Sequence, residues 1–254
     1  MDLRFECTQC GNCCHGLRLT LSVDEAIAWT GNGHVVQILT EAFPDCPDDG
    51  REDPRAVYDR ARSFPAMSGE MPIRIAAALV AFHEGACPHL RTDMRCGNYA
   101  ARPRICRIYP LESRPFTNVS PERRLCPPEA WASHHPQLLQ GDHIADVASA
   151  DIVADHRRTL MEDVAAVAAA CAALGISAAA FANEGLAVHQ PDGRVLAAEL
   201  RRAKMACING QALRQWMIAT NREGTRSMLA EAGCTASITY RGESYLGSFP
   251  DETE

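Results

Sequence analysis

Apolar positions along the chain fall into a few patterned runs separated by polar, proline-bearing stretches. From Asp142 to Leu174 they recur at helical spacing (Ile144, Val147, Ile152, Leu160) with no proline between them, which predicts helix. Helical segments are also predicted over Ala197 to Cys207 and over Gln211 to Ala232. Near the start, Ser22 and Glu25 form a capping-box pattern ahead of Ala26-Ile27-Ala28-Trp29, so residues 19–43 read as a short helical region. A second apolar run, Ile73 to Phe82, leads directly into Cys87. Residues 44–60 contain Pro47-Asp48-Asp49-Gly50 and read as a surface loop. Residues 87–128 are dense in proline and arginine and read as irregular backbone. Ile238, Tyr240 and Tyr245 suit a short terminal strand pair over 236–247. These elements predict a mainly α protein with minor β. An irregular, metal-organised cysteine-rich module over residues 1–130 packs against an alanine-rich helical half over 140–254, and the short linker favours one continuous body.

Composition sharpens this picture in three places. Hydrophobic content of 46% and charged content of 22% are those of a globular chain of 254 residues. The net charge of -7 argues against a chain-wide attraction to nucleic acid or anionic lipid. Val164 to Ala182 carries no charge, but it is mostly alanine and is broken by Gly175, so it reads as buried helix rather than a membrane span. The opening residues, Met1-Asp2-Leu3-Arg4-Phe5-Glu6-Cys7, lack the apolar run of an export signal, and the expectation is a cytoplasmic protein.

The informative excess is cysteine. Twelve are present, and in a reducing compartment such residues serve as metal ligands or catalytic thiols more often than as disulfides. Eight are grouped. Cys7, Cys10, Cys13 and Cys14 open the chain as Cys-x-x-Cys-x-x-Cys-Cys, and Cys87, Cys96, Cys106 and Cys126 form a looser second group. A two-residue gap lets both sulfurs reach one tetrahedral ion. Neighbouring residues project in different directions, so Cys13 and Cys14 suit two metals, or two irons of one cluster, better than one mononuclear ion. Eight thiols satisfy two four-cysteine sites, or one with the remainder structural or catalytic. Eight arginines against three acidic residues between Arg91 and Arg124 are what a negatively charged thiolate site predicts; an anionic substrate pocket predicts the same. His15 and His89 sit beside these thiols as secondary ligand candidates, whereas His134 and His135 read as a helix start or loop. Cys171, Cys207 and Cys234 read as small buried side chains, and Cys46 as an exposed one.

The spacings also carry a resemblance. The opening motif is followed by Cys87-Pro88-x-Leu90 and by Cys96-x-x-Tyr99-x-x-Arg102-Pro103-x-x-Cys106-Arg107-x-Tyr109-Pro110. Residues 3–128 thereby resemble the YkgJ-type cysteine-cluster family of zinc- or iron-chelating domains, whose relatives include flagellin lysine N-methylases. The resemblance implies Cys7, Cys10, Cys13, Cys14, Cys87, Cys96, Cys106 and Cys126 as ligands. It marks Tyr99, Arg102, Pro103, Arg107 and Pro110 as the rigid shell around them. The sequence departs from the motif in a long insertion between the two cysteine groups and in the helical C-terminal half.

The leading expectation is therefore a protein that chelates zinc or iron, with the metal organising residues 5–128 and the helical half available to a protein partner. Neither nucleic acid nor membrane is expected as a partner. The alternatives are an iron–sulfur enzyme related to the lysine N-methylases, and a thiol redox sensor using Cys13–Cys14.

Overall fold

The computed structural model describes residues 2–45, 53–206, 213–239 and 241–251. In chain order its elements are strand β1 (Leu3–Arg4), strand β2 (Leu19–Leu21), helix α1 (Val23–Gly31), strand β3 (Val35–Pro44), helix α2 (Pro54–Ala61), and strands β4 (Ser63–Ser68) and β5 (Met71–Phe82). Helix α3 (Arg104–Ile108), strands β6 (Gln137–Gln140) and β7 (His143–Ile144), and helices α4 (Val147–Glu162) and α5 (Val164–Ala173) follow. The chain ends with strands β8 (Ala178–Phe181) and β9 (Gly185–His189), helix α6 (Gly193–Met205), strand β10 (Met217–Thr220), helix α7 (Glu223–Glu231), and strands β11 (Ala236–Ile238) and β12 (Tyr245–Gly247).

Helix makes up 35% of the structure and strand 27%, and a mixed sheet of nine strands dominates, so the expectation of a mainly α protein is overturned. The reason lies in burial. Val36 to Thr40 of β3 are buried one after another, Gln37 and Thr40 included, so the strand lacks the apolar–polar alternation that identifies a half-exposed strand. Strand β8 reads Ala-Ala-Ala-Phe, and alanine has little preference for strand, so the alanine-rich half reads as helical by composition. Of the region expected to be helical over 19–43, α1 forms, but the residues on either side become β2 and β3. The apolar run from Ile73 lies in β5. The helix expected over 211–232 divides into β10 and α7, with Gln211 and Ala212 outside the described residues. The two terminal strands exist but do not pair together: β11 runs parallel to β10, and β12 antiparallel to β9. Cys46, Cys207 and Tyr240 lie outside the described residues, while the loop expected over 44–60 includes α2. No helix among the described residues is long and apolar enough to cross a membrane.

The chain divides into two compact units, each built from two stretches of sequence rather than from the segments 1–130 and 140–254. The first comprises residues 1–22 and 81–159. Its regular structure is slight: a three-stranded antiparallel sheet in the order β1-β6-β7, the short helix α3 and most of α4. A small core of Ile108, Leu111, Leu138 and Val153 holds these together, with Phe5, Ile105 and Ile152 packed against it. Ile144 and Ile152, read from the sequence as one helical face, do share this core, although Ile144 sits in β7.

The second unit comprises residues 23–80 and 160–254 and contains most of the large sheet. Its strands run in the order β11-β10-β8-β3-β5, with β3, β8, β10 and β11 mutually parallel along the path, and with β9 antiparallel to β3 and β4 antiparallel to β5. Helix α6 begins at Asp192, whose carboxylate accepts from the N–H groups of Arg194 and Val195. It buries Leu196, Ala197, Leu200 and Ala203 at helical spacing and packs on α1 and α5. Several polar groups are buried here, among them Thr30, Gln37, Ser68 and Thr220; Thr40, fully buried, donates to the Ala178 carbonyl at 2.8 Å and lies 3.0 Å from His189 Nε2, so three strands satisfy each other's polar atoms.

Ile38 sits on β3 with no exposure. Ile38→Ala is expected to cost about 3 kcal/mol in urea unfolding, through lost burial and the cavity left behind. The control Val195→Ala, on the exposed face of α6, is expected to stay within about 0.5 kcal/mol of the parent protein.

Candidate metal centre

All eight grouped cysteines fall in the first unit, and backbone pairing explains how residues so far apart in sequence meet. The opening motif is a tight turn rather than a regular helix. Gly11 adopts φ +75°, and the Cys14 N–H donates to its carbonyl at 2.8 Å, closing a single 3-10 turn over Asn12–Cys14. A Cβ at Gly11 would lie 2.3 Å from the carbonyl oxygen of Met94, so only glycine permits this approach of the two cysteine segments. The chain then leaves Cys14 beside the second group: the Cys87 N–H donates to the Cys14 carbonyl at 2.7 Å, and His15 bridges antiparallel to Ala86.

Residues 87–97 form a compact reversal. Leu90 N–H donates to the Cys87 carbonyl at 2.8 Å, Gly97 N–H to the His89 carbonyl at 2.7 Å, and Leu90 bridges to Cys96. The backbone N–H groups of His89 and Leu90 also bond to the Cys87 sulfur and favour its thiolate. This is the arrangement that a cysteine-bearing turn uses to stabilise a metal-bound sulfur. Cys106 lies within α3, whose first turn is closed by its N–H on the Pro103 carbonyl at 3.0 Å.

Cys126 is brought to the other side of the opening motif. Asn12 Nδ2 donates to the Leu125 carbonyl at 3.2 Å, and Leu125 N–H donates to the Tyr109 hydroxyl at 2.9 Å. Glu6 N–H reaches the Ala130 carbonyl at 2.9 Å, and Phe5 packs on Trp131 with ring centroids 4.9 Å apart. Tyr109 precedes a cis peptide bond to Pro110.

The electrostatics follow this geometry. Cys7 is exposed and the other seven are half-buried, all as free thiols. Burial raises the Cys13 thiol, as do the charges of Cys7, Cys126 and Cys10, against a hydrogen bond from Cys14 that favours its thiolate. Cys14 is pushed up to about 12, first by burial and then by Cys13, Cys87 and Cys96. Cys106 also rises to about 12, by burial and by Cys13, Cys87 and Cys14, while the Arg102 guanidinium opposes the shift. Cys126 rises to about 11, by burial and by Cys10 and Cys7, with Arg124 opposing. Burial and the neighbouring Cys96 raise Cys87 as well. The thiols thus influence one another in two neighbourhoods that meet at Cys13 and Cys14.

Among the described residues, no three His, Cys, Asp or Glu side chains are set in coordination geometry. Each cysteine has one side-chain torsion with three staggered wells, so a sulfur can be re-aimed without moving its backbone. The donor chemistry fits a soft or borderline cation: thiolates crowded by burial and by each other's charge are the groups such an ion stabilises.

Of the residues expected around the ligands, Arg102 stacks on Tyr99 with its guanidinium carbon 3.6 Å from the ring centroid, and donates to the Tyr99 carbonyl at 2.9 Å. Arg107 contributes its N–H to the Pro103 carbonyl at 3.2 Å. Neither Arg124 nor Asn12 was singled out from sequence, although each lies next to a motif cysteine or two residues from one. Arg124 pairs with Glu112 at 2.7 Å besides acting on Cys126. His135, read from the sequence as a helix start or loop, lies 2.9 Å from the Glu6 carboxylate. Cys171 is buried in α5, as expected of a packing residue, and Cys234 is half-buried near Ser68.

Against models of known families, residues 6–127 match the CxxCxxCC model, described as a "putative zinc- or iron-chelating domain". The match spans slightly under half of the chain, contains all eight cysteines, and runs across residues 23–80, which fold with the second unit. No curated protein and no solved structure matches the chain.

Gly11, in the opening CxxCxxCC turn, and Gly16, just beyond it, separate two physical effects. Gly16 has φ +59° and open space around it, so Gly16→Ala is expected to cost roughly 1 kcal/mol of left-handed backbone strain. Gly11→Ala adds the collision with Met94 and is expected to cost clearly more; chemical denaturation of the two variants in parallel measures the difference.

Proposed function

We propose that the CxxCxxCC segment chelates two zinc or iron ions, each through four thiolates. Cys7, Cys10, Cys13 and Cys126 hold one ion; Cys14, Cys87, Cys96 and Cys106 hold the other. The observation that carries this reading is the opposite tethering of adjacent residues. The Cys14 carbonyl is bonded to the Cys87 N–H at 2.7 Å, while Asn12, next to Cys13, reaches back to the carbonyl before Cys126 at 3.2 Å. The backbone on either side of the Cys13–Cys14 step is thereby tied to different partners. A tetrathiolate site with a divalent ion carries excess negative charge, and one guanidinium stands by each set: Arg124 by Cys126 and Arg102 by Cys106.

The chemistry these residues supply is tight, soft-donor chelation. Because the first unit has only a small apolar core, ion binding contributes directly to its folding. Zinc would make the centre structural or metal-handling. Iron together with inorganic sulfide, held by fewer thiolates per iron, would make it an iron–sulfur centre.

The test is metal and acid-labile sulfide content of protein purified without oxygen. The parent protein is expected to carry two metal equivalents. Cys126→Ser and Cys96→Ser are each expected to lose one and keep the other, whereas a double variant loses both. If either single variant loses both ions while remaining folded by circular dichroism, the thiols form one joint centre. If both single variants keep full metal content, these cysteines are not the ligands.

A further inference from the structure

The second unit contains a cavity of about 570 Å³, within the range of small-molecule sites. It lies between the α2–β4 segment, β5, the start of α5 and the chain entering β10. We propose that it binds a small organic anion with an apolar body, of the arylalkyl or short-chain carboxylate class.

Three observations support that chemistry. The first is the apolar wall. Phe64 and Trp216 form a tilted aromatic pair with centroids 5.7 Å apart, Trp216 is only 3% exposed, and Val164 and Ala168 face the same space. The second is Arg74, whose guanidinium is fixed in advance. Its Nε donates to Ser63 Oγ at 2.8 Å, and Nη2 donates to the carbonyls of Ser63 at 2.7 Å and Arg60 at 3.1 Å. That leaves Nη1 with Asp45 at 3.7 Å, too far for a hydrogen bond. The third is Arg214. Its carbonyl is tied to the Met67 N–H at 2.9 Å, which fixes its backbone, yet its guanidinium has no hydrogen-bond or ion-pair partner among the described residues.

Charge selects the sign of the ligand. Arg60, Arg74 and Arg214 line the cavity against the single carboxylate of Glu162, and Asp45 behind it engages Arg60 at 2.8 Å. A cation would meet net repulsion there, and a purely apolar molecule would leave a guanidinium facing nothing. A carboxylate matches the planar fork of a guanidinium, and the aromatic pair accepts the body attached to it. Every residue in this argument lies in the second unit, so the proposal stands apart from the thiol centre.

The test is calorimetric titration of the full-length, metal-loaded protein with hexanoate, 4-phenylbutyrate and indole-3-propionate, each beside its uncharged amide. At least one acid is expected to bind with one-to-one stoichiometry and at least tenfold more tightly than its amide, with a change in Trp216 emission. Arg214→Gln is expected to weaken that acid about tenfold with the melting temperature unchanged, since its guanidinium supports no described contact. Arg74→Lys, which keeps the charge but loses the fork, is expected to weaken it as well. The proposal is overturned by the absence of saturable binding for all three acids, by equal affinity for acid and amide, or by undiminished affinity in a folded Arg214→Gln variant.

Discussion

Crowding of thiols is the constraint on which the first unit depends. Eight cysteines share a body whose apolar core is four buried side chains and a few neighbours, and burial first, then mutual charge, opposes ionisation at Cys13, Cys14, Cys87, Cys106 and Cys126. Such an arrangement is unfavourable for bare thiolates and favourable around a cation. The backbone accepts it because the pairing of Cys14 with Cys87 and of Asn12 with Leu125 fixes the positions from which the sulfurs project. Gly11 is the point of closest approach, where the turn of one cysteine group meets the loop of the other.

The second unit is stabilised on different terms. Its sheet is built from small and β-branched side chains: alanines in β8, valine and isoleucine in β3, and isoleucine and alanine in β10. Helices α5 and α6, whose buried residues include several alanines, pack on each other, and such small side chains permit close approach of backbones. The buried polar group Thr40 is tolerated because β8 and β9 offer it partners at hydrogen-bond distance.

Arginine is used in different ways in the two units. Beside the thiols, Arg102 and Arg124 moderate negative charge, and each is itself held, by an aromatic ring or by a carboxylate. In the second unit, Arg74 is locked by three bonds to Ser63 and Arg60 while Arg214 stays uncommitted among the described residues. In a chain of net charge -7, these positions are local concentrations of positive charge.

The cysteine chemistry was legible in the sequence because short-range spacing is enough to specify it: two-residue gaps bring sulfurs together locally, whatever the rest of the chain does. The helices α4, α5 and α6 were legible too, through uninterrupted helical periodicity or apolar content. The sheet was not. Strands buried on both faces lose the alternation that announces them, and alanine announces helix wherever it occurs in runs. Nor did the sequence divide the eight cysteines. That Cys14 turns toward Cys87 while its neighbour's surroundings turn toward Cys126 depends on hydrogen bonds spanning 73 and 113 residues, which no local pattern encodes. Sequence alone determined the kind of ligand this protein offers. Tertiary structure decided which thiols are neighbours, because neighbourhood is set by long-range backbone pairing and burial.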